Sequence, residues 1–109
     1  MNKVVLVGRL TRDPETRQAG ETTVTRFSIA VDRRYKHEGG QSADFPSVVA
    51  FGKTAEFIEK YFHKGMKIAL EGRLQTGSYE KDGKRIYTTD VIAEAVEFAE
   101  SKSADAGKS

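Results

Sequence analysis

The sequence predicts an all-β barrel carrying a single helix. Apolar and polar residues alternate through several short segments, only one segment has helical spacing, and no strand–helix–strand repeat of a parallel sheet occurs. A length of 109 residues agrees, since it suits one domain with one modest core.

The first element runs from Lys3 to Leu10, with Val4, Leu6 and Leu10 on one parity and Val5 and Val7 on the other. Apolar residues on both parities predict a strand buried on both sides or lying at a subunit contact. Thr11-Arg12-Asp13-Pro14 breaks it. A second strand is expected over Thr22–Tyr35, where Phe27, Ile29 and Val31 alternate with Arg26, Ser28, Ala30 and Asp32. His37 to Ser42 has the composition of a flexible loop. Asp44–Gly52 reads as a third strand, with Phe45, Val49 and Phe51 on one parity, and Pro46 implies an edge or a bulge near its start.

The helix is expected to begin with Thr54 as N-cap and Glu56 in its first turn. Its apolar residues are Phe57, Ile58, Tyr61 and Phe62, and Gly65 follows as the C′ residue. Lys67–Gln75 alternates again as a strand. A last pair, about Gly77–Lys81 and Lys84–Ile92, meets at Asp82-Gly83, a strong hairpin signal that sets Glu80 opposite Arg85 and Tyr79 opposite Ile86. Residues 1–98 are thus expected as one domain and Ala99–Ser109 as a disordered tail. A five-stranded Greek-key barrel with its helix between the third and fourth strands is the oligonucleotide-binding (OB) fold.

Composition narrows the function. Residues 1–90 hold 16 Lys/Arg against 12 Asp/Glu, and residues 91–109 hold 2 against 4. A mildly basic body with an acidic, small-residue end suits a nucleic-acid binder, although a solvated surface can look the same. There are no cysteines, no apolar run near the ~20 residues of a membrane span and no signal-peptide layout, so a cytoplasmic protein without membrane contact is expected.

Catalysis is not expected. His37 and His63 stand in a glycine loop and at a helix end, without metal-ligand spacing, so no metal or cofactor is expected. Gly52-Lys53-Thr54 lacks the upstream glycine of a phosphate loop, position 47 being Ser. The carboxylates are scattered, and Glu71 and Asp90 read as strand or surface charges.

Several blocks carry a resemblance. Asn2–Arg17, Phe27–Val31, Val49–Lys53, Lys64-Gly65, Glu71–Thr76 and Tyr87–Thr89 occur in the order and spacing of the bacterial single-stranded DNA-binding proteins, over roughly residues 2–98. The chain resembles that family, which implies non-catalytic, sequence-independent binding of unpaired DNA in replication, recombination, repair or DNA uptake. It also implies a homotetramer with DNA wrapped around the outside.

Binding a single strand without reading its sequence needs cations for phosphates and flat rings for bases that have lost their neighbours. By resemblance the stacking positions fall on Tyr35, Phe45, Phe51 and Tyr79. Tyr35 stands beside Arg33, Arg34 and Lys36, and Tyr79 stands near Lys81, Lys84 and Arg85. The parity of Phe51 is compatible with an inward or an outward ring. Phe27, Phe57, Tyr61, Phe62 and Phe98 are expected in the core or in packing. For the phosphates, Lys3, Arg9, Arg33, Arg34, Lys53, Arg73, Lys84 and Arg85 are expected because each lies on or beside a strand or the hairpin. Lys60, Lys64 and Lys67 read more simply as helix-end and solubility charges.

Two departures from the family are expected to matter. The end, Asp105-Ala106-Gly107-Lys108-Ser109, lacks the acidic-hydrophobic tip that recruits other proteins, which argues for a short paralogue, a mobile-element copy or a trimmed version and against tail-mediated partners. The chain also has no Trp, so each stacking ring is smaller than in some relatives. Two alternatives stay open: an OB-type protein-interaction module that binds nucleic acid weakly, and a preference for RNA, because stacking and phosphate contacts do not read the 2′-hydroxyl.

Overall fold

A computed structural model describes residues 1–34 and 42–99. The strands are β1 (Val4–Leu10), β2 (Glu15–Ala19), β3 (Thr22–Asp32), β4 (Ala43–Asp44), β5 (Ser47–Phe51), β6 (Lys67–Lys81) and β7 (Lys84–Phe98), with helix α1 (Gly52–Tyr61) between β5 and β6. Around the barrel the order is β1–β6–β7–β5–β3, and β3 returns to β1 through Arg9↔Ala30 and Leu10↔Ile29. This closure makes the five-stranded OB barrel. All pairings are antiparallel except β5 with β7.

Alternation fills the interior. Leu10, Phe27, Ile29, Val48, Ala50, Ile68, Leu70, Val91 and Ala93 project inward, and Ala55, Ile58 and Phe62 of the helical segment close one end. Thr23 and Thr25 are buried polar residues, and the Thr25 hydroxyl is satisfied by the Ala55 carbonyl at 3.2 Å and the Thr16 hydroxyl at 2.9 Å. That satisfaction lets a hydroxyl sit in a core without the cost of an unmade hydrogen bond. Phe57, Tyr61, Phe62 and Phe98 gather at the helix end, with Phe62 stacked on Phe98 at 4.7 Å between ring centres. Phe27 and Phe62 are core, whereas Tyr61 and Phe98 pack at the rim and stay partly exposed.

Several elements differ from the sequence-based expectation. β2 was not anticipated; it pairs with β3 from Glu15↔Arg26 to Ala19↔Thr22. The second strand stops at Asp32 rather than Tyr35. The third is interrupted at Pro46: only Ala43 and Asp44 pair with β3 ahead of it, and pairing resumes at Ser47. Pro46 has no N–H for a ladder, yet its carbonyl still accepts from Ile29 N–H at 3.3 Å.

The helix starts before Thr54, which is not its cap. Phe51 occupies the N-cap position with no side-chain hydrogen bond, and no acidic residue lies in the first turn. The chain leaves β5 through Gly52 at φ +63°, a left-handed conformation cheap only for glycine, and this turns it straight into the helix. Gly65 lies in the following turn rather than at C′, because Phe62 is already the extended C-cap.

β6 and β7 are each 15 residues long, without the break expected near Gly77, and β7 continues past Ile92 to Phe98. Their turn has Asp82 at φ +53° and Gly83 at φ +79°, the type I′ geometry that matches strand twist. The predicted pairs Tyr79↔Ile86 and Glu80↔Arg85 are present. The register shifts at Glu71/Gly72, where a Cβ on Gly72 would lie 1.8 Å from the Ile92 carbonyl oxygen. Beyond Leu74 and Val91 the two strands leave the barrel as a ribbon with exposed residues on both faces. At its root the Asn2 side-chain amide donates to the Leu74 carbonyl and accepts from the Leu74 N–H, both at 2.8 Å. Of the expected tail only Ala99 is among the described residues, and its N–H donates to the Lys67 carbonyl at 3.3 Å.

Candidate nucleic-acid interface

The outer face of β3, β5, β7 and β6 follows from the strand pleat. With Phe27, Val48 and Val91 turned inward, their neighbours turn out. Register then sets Arg26 beside Val49, Val49 beside Ile92 and Ile92 beside Arg73, one row across four strands. Val49 and Ile92 are buried although they lie outside the core cluster. Their arginine neighbours can cover them with aliphatic stems while keeping the guanidinium groups at the surface.

Phe51 lies on this same face and is 46% exposed. The inward alternative for Phe51 is therefore excluded. Val24 is its partner on β3, and Arg17 of β2 is the partner of Val24 on the other side. Glu15, Thr16, Arg17, Val24 and Arg26 line a groove next to Phe51. Tyr79 is 51% exposed on the ribbon and shares the alternation of Arg73 and Gln75, so it extends the same face outward.

Phe45 is 58% exposed at the Pro46 break. Its neighbour Asp44 is gripped by Arg33, whose Nη2 donates to Oδ1 at 2.7 Å and whose Nε reaches both carboxylate oxygens at 3.2 Å. The hydrogen bond, reinforced by the guanidinium charge, holds the Asp44 carboxyl below the usual carboxylate range. Arg33 N–H also donates to the Ser42 carbonyl at 3.0 Å, so Arg33 fixes both sides of the β3–β4 junction. Tyr35 lies outside the described residues.

The expected phosphate contacts separate into groups. Arg73 is on the ring-bearing face, 3.6 Å from the Glu94 carboxylate and 3.1 Å from the Gln75 amide oxygen. Lys84 faces Lys81 across the ribbon tip. Arg85 points to the reverse face of the ribbon and donates to the Ser78 hydroxyl at 2.9 Å. Lys3 and Arg9 belong to the β1 side. Lys3 pairs with Glu71 at 2.5 Å, and that hydrogen bond and charge raise the lysine pKa. Arg9 donates to the Gly65 carbonyl at 2.9 Å. Lys53 stands in the first turn of α1 beside Thr54, Phe57 and Val96. Arg34 is exposed just past β3, next to Arg33. Phe51, Tyr79, Arg73 and Lys84 therefore fall along one surface, while Lys3, Arg9, Lys53 and Arg85 do not join it.

Two cations on that surface were not anticipated, Arg17 and Arg26. Arg26 extends to Asp90 at 3.7 Å. The strand alternation already placed it outward beside Phe27, which was the available signal. Arg17 could have been found from Ala19-Gly20-Glu21-Thr22, a two-residue turn that pairs β2 with β3. Among the described residues no group of three His, Cys, Asp or Glu is placed to hold a metal ion.

Comparison with known proteins identifies the family of the chain. Residues 1–99 match the model of the single-strand binding protein family. A single-stranded DNA-binding protein of Fusobacterium nucleatum is 58% identical over 107 residues, covering 94% of this chain and 69% of that protein. The Clostridium perfringens protein of the same name is 53% identical over 104 residues, 93% of this chain and 67% of its own length. Single-stranded DNA-binding protein 3 of Clostridium acetobutylicum is 52% identical over 103 residues, 92% of this chain and 72% of that protein. With a barrel of this topology and a match over nearly its whole described length, the chain belongs to the single-strand binding protein family.

Proposed function

We propose that this barrel binds single-stranded DNA without regard to base sequence and without chemistry. The observation that carries the reading is three exposed rings, Phe45, Phe51 and Tyr79, on one barrel among arginines and lysines. Rings of this kind in a soluble core would be buried. Each can replace a lost stacking neighbour of an unpaired base, at about 1–3 kcal/mol per base by truncation. Phosphates then meet Arg17, Arg26, Arg73 and Lys84 along the face. Coating of exposed strands during replication, recombination, repair or DNA uptake, in the cytoplasm, follows from such binding.

Copies of the chain are proposed to assemble through β1, as a homotetramer. Between Val4 and Gly8 the edge of β1 away from β6 has no strand beside it among the described residues. Val5 and Val7 are exposed on the outer side there, with Ala69 next to Val7. An unpaired apolar edge invites a partner strand. Light scattering should give a mass of several chains, and Val5→Glu with Val7→Glu should lower it; a monomer in the parent protein sinks the assembly.

The test of binding is titration with oligothymidylate while tyrosine emission is followed. Quenching that saturates at a fixed number of nucleotides per subunit is expected, with log affinity falling against log salt at about −0.7 for each phosphate neutralised. An unchanged emission and no mobility shift would leave an interaction module in its place.

A further inference from the structure

The ribbon formed by β6 and β7 has two faces, and only the one bearing Tyr79 enters the reading above. On the reverse face stands Tyr87, 77% exposed and more open than Phe45, Phe51 or Tyr79. Register puts Ser78 directly across from Tyr87, and Ser78 accepts the Arg85 guanidinium at 2.9 Å. Arg85 is thereby drawn along its own face toward Tyr87 rather than spent on Glu80, its direct cross-strand partner. The tip beyond holds Lys81 and Lys84, for which the described residues offer no ion-pair partner.

We infer that Tyr87 and Arg85 form a second single-strand subsite on the back of the ribbon, taking one base on the ring and its phosphate on the guanidinium. The inference rests on the proposed DNA binding and deepens it. An exposed ring on a two-stranded ribbon has no core to join, since the strands here have solvent on both sides. A flat ring next to a guanidinium held in place by a hydroxyl offers a stacking surface and an oriented phosphate donor together. The occupant is a single strand because every element of the site suits it: an aromatic face, Arg85, and the Lys81–Lys84 tip over which the strand crosses from the Tyr79 side. The ribbon would then be gripped by DNA on both faces.

The chain contains no Trp, so a single introduced one reports on its own position. Tyr79→Trp and Tyr87→Trp are titrated in parallel with oligothymidylate, with Tyr61→Trp on the helix as a reference that should not respond. Quenching of both ribbon variants is expected, together with a loss of about tenfold in affinity and fewer nucleotides occluded per subunit for Tyr87→Ala. Quenching of Tyr79→Trp with an unresponsive Tyr87→Trp overturns the second subsite and leaves the main reading intact. Failure of both overturns the main reading, and the subsite with it. If Tyr87→Trp emission instead shifts on dilution of the protein alone and ignores DNA, the back of the ribbon is a contact between copies and the inference falls.

Discussion

Phe51 and Tyr79 are exposed to similar degrees but stand on different foundations. Phe51 ends β5, a strand flanked by β3 and β7, and is followed at once by the helix that closes the barrel. Tyr79 rides on two strands alone, and a two-stranded hairpin is only marginally stable away from a packed body. The cations differ in the same way. On the body Arg26, Arg33 and Arg73 each meet a carboxylate, Asp90, Asp44 and Glu94. At the ribbon tip Lys81 and Lys84 have no such partner among the described residues. In the proposed reading the paired body would set where the strand lies and the two-stranded ribbon would adapt to it. Phosphates would displace carboxylates on the first and meet lysines without such partners among the described residues on the second.

The contrast is broken most severely at its joint. Gly72→Ala drives a methyl group into the Ile92 backbone where barrel becomes ribbon, and is expected to destabilise by about 1–3 kcal/mol or more. Urea denaturation checks this; a midpoint equal to the parent's means the bulge relaxes freely. Next in size, Phe51→Ala and Tyr79→Ala should each weaken oligothymidylate binding about tenfold by fluorescence or mobility shift. Both should leave the denaturation midpoint nearly unchanged, because both rings are exposed. If Tyr79→Ala alone binds normally, the ribbon does not hold DNA.

Smaller effects sharpen the electrostatic half. Asp90→Asn releases Arg26 and should raise affinity about two- to fivefold, the range a surface ion pair spans. The salt slope should steepen by about 0.7 if one more phosphate is then neutralised. A drop in affinity instead would show that Asp90 positions the arginine for DNA. The smallest effect concerns Asp44, whose pKa is lowered in the folded chain. The clamp's contribution is present above the ordinary carboxylate pKa of about 4 and is lost as pH falls through the lowered folded value. An NMR titration of the Asp44 carboxyl carbon should move upward in Arg33→Ala; no movement would detach the shift from Arg33.

Much of this was legible in the sequence, for reasons that can be located. The Asp82-Gly83 turn fixed the ribbon register because few residues tolerate its backbone, and the pairing of Tyr79 with Ile86 followed from it, whereas the stacking role expected of Tyr79 came from the family resemblance. Phe51 was ambiguous because β5 is covered on both sides: Val48 and Ala50 face the core, and Val49 is covered from without. Parity cannot distinguish faces that are both dry. β2 was hidden because it is stabilised by polar pairs, Thr16 with Thr25 and Gln18 with Thr23 at 2.9 Å each, rather than by apolar alternation. The arginine partners were hidden by distance along the chain, as with Lys3 and Glu71. Arg33 was a fair expectation by type, but its hold on Asp44 appears only once two strands are brought together.

The twin hydrogen bonds between Asn2 and Leu74 have a practical corollary. A side-chain amide there imitates a peptide group and sews the front of the chain to the place where the ribbon departs. Any affinity handle fused just ahead of Asn2 would therefore start beside Leu74, on the β1 side of the ribbon's root.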